Sequence, residues 1–402
     1  GAVARLFPFP GLRYNTEMVS ALAQVICPPY DIISPQTKKL CHQRHQYNIV
    51  RIEGGETPAE GGDQYTQASD LLQRWLKQGV LKLEASPALY LHHHLFTLQG
   101  TQKLRRGIFA TVGLGDKDIH PHEETQAKPK EDRLRLLRAT RANISPIFVL
   151  YHEKAGEIAS ILTQVESSPP LLSLEEENGE GHRLWAITQP SLISRLQALF
   201  SPLPLFIADG HHRYETALNY LKERGAGDET ATQVMMALVE IHDPGLVIFP
   251  IHRLLRGLSP QLLAKLEAGL KDRFDLRPTS REELLRLSGQ KANSGLGLAG
   301  LGQDLLVQPR PGEKPLDLVG LHQMVLEGIL GWSKTPGLEI TYTPDEASAL
   351  SRVESGEYQL AFLVNPLPVE RLLEVVSRGE RLPSKATYFY PKLPTGLVLR
   401  LL

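Results

Sequence analysis

Between Leu205 and Leu221 the chain changes its hydrophobic period across a single Asp-Gly pair, and few folds accommodate such a change. Leu205, Phe206, Ile207 and Ala208 form an unbroken apolar run suited to a buried strand. Asp209-Gly210 interrupts it, and glycine reaches backbone angles that a side chain would forbid. From Tyr214 the spacing is helical, with Tyr214, Ala217, Leu218 and Leu221 at i, i+3, i+4 and i+7. Strand, tight turn and helix therefore follow in that order.

This order puts His211, His212 and Arg213 in the first helical turn, where backbone N–H groups lack intrahelical partners and the dipole is positive. Cationic side chains there oppose the dipole unless an anion shares them, so the turn reads as an anion site suited to phosphate. The plainer alternative has Asp209 capping the helix while the histidines pack or face solvent.

The rest of the 402-residue chain alternates helical and strand patterns, which makes the class α/β, of the α+β mixed kind. A helix is expected at about 63–78, with Leu71, Leu72, Trp75 and Leu76 on one face, and a basic helix at about 131–141. Strands are expected in ALYLHHHLFTL, RRGIFATVGL, SPIFVLY and LVIFP, and a helix in TATQVMMALVEI. Residues 164–190 are polar and aperiodic and read as a connection or peripheral hairpin. They divide an N-terminal lobe, 1–163, from a C-terminal lobe, 191–402. GLGLAG at 295–300 matches a dinucleotide fingerprint, but no helical pattern follows it, and no Walker A sequence occurs.

Composition excludes several functions. Lys plus Arg is 44 against 45 for Asp plus Glu, so there is no basic excess for gripping nucleic acid. No apolar stretch reaches the roughly 18–20 residues that cross a bilayer, so no membrane partner is expected. GAVARLFPFPGL lacks the basic-then-apolar order of a signal peptide. Cys27 and Cys41 fit neither a disulfide framework nor a zinc pattern, and a cytoplasmic location follows as the expectation.

Other segments carry chemistry-capable residues. HPHEETQAKPKEDR offers His120, His122, Glu123 and Glu124 as ligands or bases, and Lys128, Lys130 and Arg133 as phosphate clamps; a solvated loop is the alternative. Pro28-Pro29 stiffen a loop that presents Tyr30 and Asp31, as a substrate contact or a structural turn. His252 and Arg253 follow a strand end, where α/β proteins place ligand groups, although a surface salt bridge is equally open to Arg253. Tyr388, Tyr390 and Lys392 lie in an extended aromatic stretch that also reads as packing around a tethered lysine. In the strand pattern containing HHH only His92 and His94 share a face, which by spacing alone is slender support for a metal site.

IADGHHRYETAL resembles the phosphate-binding turn of the ParB/sulfiredoxin superfamily, which includes sulfiredoxin, the free-serine kinases and the ParB nucleotide-binding domain. The kinases of that group carry D-G-H-x-R, matched by Asp209, Gly210, His211 and Arg213. Sulfiredoxin has a cysteine where His211 stands, so its sulfinyl chemistry does not carry over. Across the chain, CPPYDIISP, YNIVRIE, HPHEET, KEDRLRLLRATRANISPIF, DPGLVIFPIHRLL and TYFYPKLPTGL resemble the ordered blocks of the domain-of-unknown-function family numbered ten-fifteen. Members often lie beside serine-biosynthesis genes.

These resemblances imply a ParB/sulfiredoxin-like phosphate-binding core with an additional mixed α/β lobe. They imply phosphoryl transfer to a small hydroxylated metabolite, free L-serine first, or the reverse reaction on O-phosphoserine. The donor would be a nucleotide (ATP or ADP) or pyrophosphate, with Mg²⁺ as the cofactor. In this reading Gly210, His211, His212, Arg213, Lys130, Arg133 and Arg253 hold phosphate. Asp209 or Glu123 orients or deprotonates the acceptor and is the metal-ligand candidate, with His211 and His212 beside them. Tyr30, Asp31, His122 and His252 meet the substrate, and a homodimer is compatible. A ParB-type CTP or ATP switch and a phosphatase are the rivals; the neutral charge and the lack of a helix-turn-helix pattern weigh against the switch.

Overall fold

The structure, a computed structural model, describes residues 4–55, 58, 61–115, 119–121, 127–287, 295–380, 382–383 and 385–402. Its contacts gather into two units, Gly1–Leu246 with Pro391–Leu402, and Val247–Tyr390.

The first unit is built on a nine-stranded mixed sheet. Its strands are β1 (Leu6–Phe7), β2 (Leu89–Leu98), β3 (Thr101–Gly113), β4 (Ile119–Pro121), β5 (Ile147–Tyr151), β6 (Leu172–Glu175), β7 (Gly181–Ile187), β8 (Leu205–Asp209) and β9 (Gln233–Glu240). The order is β4-β8-β5-β9-β3-β2-β7-β6, with β1 also paired to β3. β4 and β8 run parallel, with Ile207 opposite Pro121, so both strands end at the same side of the sheet. β5 and β9 are also parallel, and the remaining pairings are antiparallel.

The helices of this unit include α1 (Gln64–Lys77), α2 (Ala127–Thr140), α3 (Glu157–Val165), α4 (Pro190–Phe200) and α5 (His211–Arg224). α1 starts where Asp63 caps it by accepting from Thr66 N at 2.7 Å, and it buries Leu72 and Trp75. Strand residues alternate between two cores as a period of two demands. Ile108, Ala110 and Val112 of β3 pack with α3, α4 and α5, through residues such as Ile161, Phe200 and Tyr214. Phe109 packs on the other face with Tyr90, Leu184 and Leu397.

Two expectations are corrected here. TATQVMMALVEI is a strand at its centre, because β9 lies between β5 and β3 with Val234 to Val239 all buried. A strand buried on both faces reads as a continuous apolar run, which periodicity cannot tell from a buried helix. The segment 164–190 takes the hairpin form, one of its two readings, but contacts do not divide the chain there. It holds the β6–β7 hairpin at the end of the large sheet, and the division falls at Leu246 and Pro391.

The second unit carries a six-stranded antiparallel sheet: β10 (His252–Arg256), β11 (Phe274–Pro278), β12 (Leu296–Ala299), β13 (Leu305–Pro309), β14 (Glu339–Thr343) and β15 (Leu360–Leu363), in the order β11-β13-β12-β15-β10-β14. GLGLAG enters β12, and the chain returns directly as β13, so no helix receives a dinucleotide there. Among the described residues no helix is long and apolar enough to cross a membrane.

Candidate functional site

The change of period at Asp209-Gly210 is a strand-to-helix turn with a bulge. β8 pairs with β5 through Ile207 and Val149, then slips so that Asp209 faces Phe148. Bulges re-aim side chains at sheet ends. Gly210 follows at φ 92° and ψ 30°, the left-handed region open to glycine, and is the N-cap of α5. The N-cap position is held by Gly210, which has no side chain, so Asp209 is not the N-cap residue.

Instead, Asp209 Oδ2 receives Lys392 Nζ at 2.7 Å. The returning C-terminal segment brings the lysine there. It pairs with the N-terminal region at Cys27–Thr395 and Leu12–Leu399, and Arg400–Leu401 adds to Ala142–Asn143.

Arg213 folds back across the start of its own helix. Its Nη1 donates to Ser145 Oγ at 2.9 Å and to the Pro146 carbonyl at 2.5 Å. Nη2 reaches Asp31 Oδ1 at 3.4 Å, while Nε is buried with no hydrogen-bond partner among the described residues. The guanidinium lies so close to Gly210 that a Cβ there would meet Cζ, Nε and Nη2 at 3.2 Å. His211 is buried, whereas His212 remains partly exposed.

Asp31 completes the cluster. Burial acts to raise its carboxyl pKa, but Arg213, Lys392, its own backbone N–H and His212 outweigh burial and hold it below the ordinary aspartate range. Two carboxylates, Asp31 and Asp209, thus lie among Arg213, Lys392 and His212 at the start of α5. Arg105 lies behind them, donating to the Pro391 carbonyl at 2.7 Å with its guanidinium 4.8 Å from the centre of the Phe148 ring. Burial pushes Arg105 down to about 10, against the pull of Asp243, Asp209 and Glu180.

Beside Asp31, the Tyr30 ring lies 3.6 Å beneath the Arg133 guanidinium. Arg133 donates to Glu53 Oε1 at 2.6 Å, to the Glu53 carbonyl at 2.9 Å and to Asp132 Oδ2 at 2.8 Å. Tyr30, Glu53, Lys38, Tyr65, Lys128 and Arg133 help line a cleft of about 490 Å³. That volume lies within the range of small-molecule sites.

Of the residues singled out from sequence, the structure brings Asp31, Asp209, Gly210, His212 and Arg213 into one neighbourhood, with Tyr30 beside it. Arg133 is buried and holds Glu53 and the Tyr30 ring, which is a scaffolding position. Lys130 is half-exposed, and its carbonyl accepts from Thr216 Oγ1 at 3.3 Å, tying α2 to α5. β4 carries His120 in its backbone, but His122, Glu123 and Glu124 lie outside the described residues.

His252 and Arg253 are corrected: both are 0% exposed. Within the second unit Arg253 donates to the Ile251 and Lys385 carbonyls and to His322 Nε2, and its guanidinium lies 4.9 Å from the centre of the Tyr342 ring. His252 Nδ1 accepts from Val364 N at 3.0 Å. Neither has surface for a ligand.

Glu53 and Arg105 were not singled out from sequence. Glu53 carried a signal, a lone acid ending the apolar Ile49-Val50-x-Ile52 run. Arg105 carried none.

The family model described as "Protein of unknown function (DUF1015)" matches residues 6–314. The chain belongs to that family. A search of the curated proteins finds no match. Among solved structures, a conserved hypothetical protein from Pyrococcus furiosus is similar at 16% identity and a TM-score of 0.40, over 73% of this chain and 95% of that one. A free serine kinase in complex with AMP is similar at 15% identity and a TM-score of 0.43, over 73% and 92%. SbnI with a C-terminal truncation, from Staphylococcus aureus, is similar at 14% identity and a TM-score of 0.41, over 73% and 87%.

Proposed function

We propose that the chain transfers a phosphoryl group between a nucleotide or pyrophosphate and a small hydroxylated metabolite, free L-serine first, or runs the reverse on O-phosphoserine. The observation that carries this reading is the start of α5 at Gly210, with Asp31, Asp209, His212, Arg213 and Lys392 gathered about it. Backbone N–H groups at a helix start and adjoining cations favour phosphate. Phosphoryl transfer needs positioning and charge neutralisation more than covalent help.

In the forward direction the acceptor oxygen attacks the terminal phosphorus, and the bond from phosphorus to the donor's bridging oxygen breaks. The donor leaves with that electron pair, one phosphate shorter. Asp209, or Glu123 two residues beyond the end of β4, takes the hydroxyl proton. Asp31 has the weaker claim as base, since neighbouring cations hold its carboxyl below the ordinary range. Arg213 supplies fixed positive charge and Lys392 a movable one. The cleft beside Tyr30 accepts the rest of the donor. Asp31 and Asp209 offer the hard oxygen donors that suit Mg²⁺, which when bound would neutralise donor phosphates.

The test is phosphorus NMR of the full chain with L-serine and Mg²⁺ plus ATP, ADP or pyrophosphate, run beside a thermal-shift series including CTP. O-phosphoserine formation supports the reading. Phosphate released from O-phosphoserine without an acceptor indicates the phosphatase. A ligand-induced rise in the unfolding midpoint with no product indicates a nucleotide switch.

A further inference from the structure

A second cluster of chemistry-capable side chains lies on β2 and β7, and the proposed transferase activity has no use for it. His92 and His94 alternate on β2 and so share one face. His182 on β7 stands directly opposite His94 in the register. The His94 and His182 ring centres are 4.3 Å apart, and His92 stacks on His182 at 5.2 Å. All three are buried.

The tight turn after β6 then folds two carboxylates over these rings. Gly179, at φ 85°, closes the turn, and Glu176 N donates to the Glu180 carbonyl at 2.8 Å. Glu176 Oε2 lies 2.9 Å from His182 Nε2, and Glu180 Oε1 lies 2.5 Å from His94 Nε2. One ligand atom each from His94, Glu176 and His182 falls within 4.8 Å of the others.

We propose that His94 Nε2, His182 Nε2 and the Glu176 carboxylate form a site for a divalent first-row transition metal of the Zn²⁺ class, with Glu180 as the adjoining fourth donor. Two imidazoles and a carboxylate are a donor set that zinc takes in tetrahedral sites, whereas Mg²⁺ prefers oxygen alone. The surroundings match what an imidazole ligand needs from its other nitrogen. His182 Nδ1 faces His92 Nε2 at 2.9 Å, so an Nδ1–H donated to His92 leaves the Nε2 lone pair for the metal. Asn178 Nδ2 donates to Glu180 Oε2 at 2.7 Å and fixes that carboxylate. Arg105 Nη2 stands 3.5 Å from His94 Nδ1, a long contact that loading must loosen as the ring turns its N–H that way.

The four donors come from one strand and one hairpin of a single unit, so the site assembles without any movement of larger elements. It is independent of the transferase reading. Spacing pointed only to His92 and His94. The register adds His182, and the turn replaces His92 with Glu176 as a ligand.

The experiment uses the full chain, stripped with chelator and titrated with Co²⁺ as a spectroscopic probe, then with Zn²⁺ in competition. One equivalent of Co²⁺ with visible d–d absorption, displaced by Zn²⁺, supports the site. Glu176→Ala changes a partly exposed turn residue and should weaken binding by about tenfold or more while leaving the circular dichroism spectrum intact. His182→Ala should abolish binding, and the Glu176 variant, at a partly exposed position, keeps the test decisive if His182→Ala does not fold. A second group, His152, Glu240 and His242, provides the control. Binding that survives Glu176→Ala and is lost in His242→Ala overturns the proposal, as does the absence of stoichiometric binding.

Discussion

Lys392 and Asp209 meet at 2.7 Å across 183 residues of sequence, and this contact ties the C-terminal segment to the strand-to-helix turn. The pair is neither open nor sealed, with side-chain exposures of 11% and 29%. An ion pair of that kind is worth more than a surface pair and less than a buried one. Lys392→Ala should therefore cost about 1–2 kcal/mol in urea unfolding. Donor affinity should fall by a larger factor than stability, since the substitution removes a cation that faces both carboxylates. Isothermal titration with pyrophosphate and ATP reads the second effect. Unchanged affinity would remove Lys392 from the site.

Asp31 makes acid stability informative. Its carboxyl is held below the ordinary aspartate range in the folded chain, so its contribution is fully present above the unfolded-state pKa, about 3.9. That contribution fades as pH falls through the folded-state value. Asp31→Asn should thus be less stable than the parent at pH 7, and the two curves should converge below about pH 4. Urea midpoints between pH 2.5 and 7 check this. A constant gap across that range would mean that Asp31 does not titrate as its neighbours require.

How much of this was legible in the sequence depends on the range of the interaction. The strand, the glycine turn and the helix from His211 were readable because each is written within about fifteen residues by period and by one glycine. Asp31 and Tyr30 were readable as a presented pair because two prolines fix the loop. The Lys392–Asp209 contact was not, because nothing local says where a C-terminal segment returns. β9 was misread for a different reason. A central strand buried on both faces loses the alternation that distinguishes it from a helix. His252 and Arg253 were misplaced because a strand end was taken as a ligand edge, and here that edge packs inward.

Gly210 is constrained twice, by its φ of 92° and by the guanidinium lying 3.2 Å from where a Cβ would be. Gly179 has φ 85° and nothing within 4 Å of a Cβ, which makes it a matched reference. Both alanine variants should lose about 1–2 kcal/mol from the left-handed backbone alone. Gly210→Ala should lose more, because Arg213 must also leave Ser145 and Pro146 or crowd the new methyl. Only Gly210→Ala should weaken pyrophosphate binding. Equal effects of the two variants on thermal midpoint and affinity would show that the guanidinium contact matters little.

Glu53 and Arg133 give the sharpest test of scaffolding. Both side chains are buried, at 4% and 7% exposure, and Nη1 meets Oε1 at 2.6 Å. Truncating one partner of a buried pair leaves an uncompensated charge, which is the costly part. Arg133 keeps Asp132 and the Glu53 carbonyl, so Glu53→Ala should cost about 2–4 kcal/mol, toward the lower side of buried-pair losses. The double variant Glu53→Ala, Arg133→Met removes both charges and should recover part of that loss, giving a coupling energy of about 1–3 kcal/mol. Arg133→Met also frees the Tyr30 ring from beneath the guanidinium, so the double variant should regain stability without regaining donor affinity. Chemical unfolding of all four proteins, with ATP titrations alongside, reads both quantities. Additive losses in stability would mean that the pair is not a unit, and affinity that recovers together with stability would detach Tyr30 and Arg133 from donor binding.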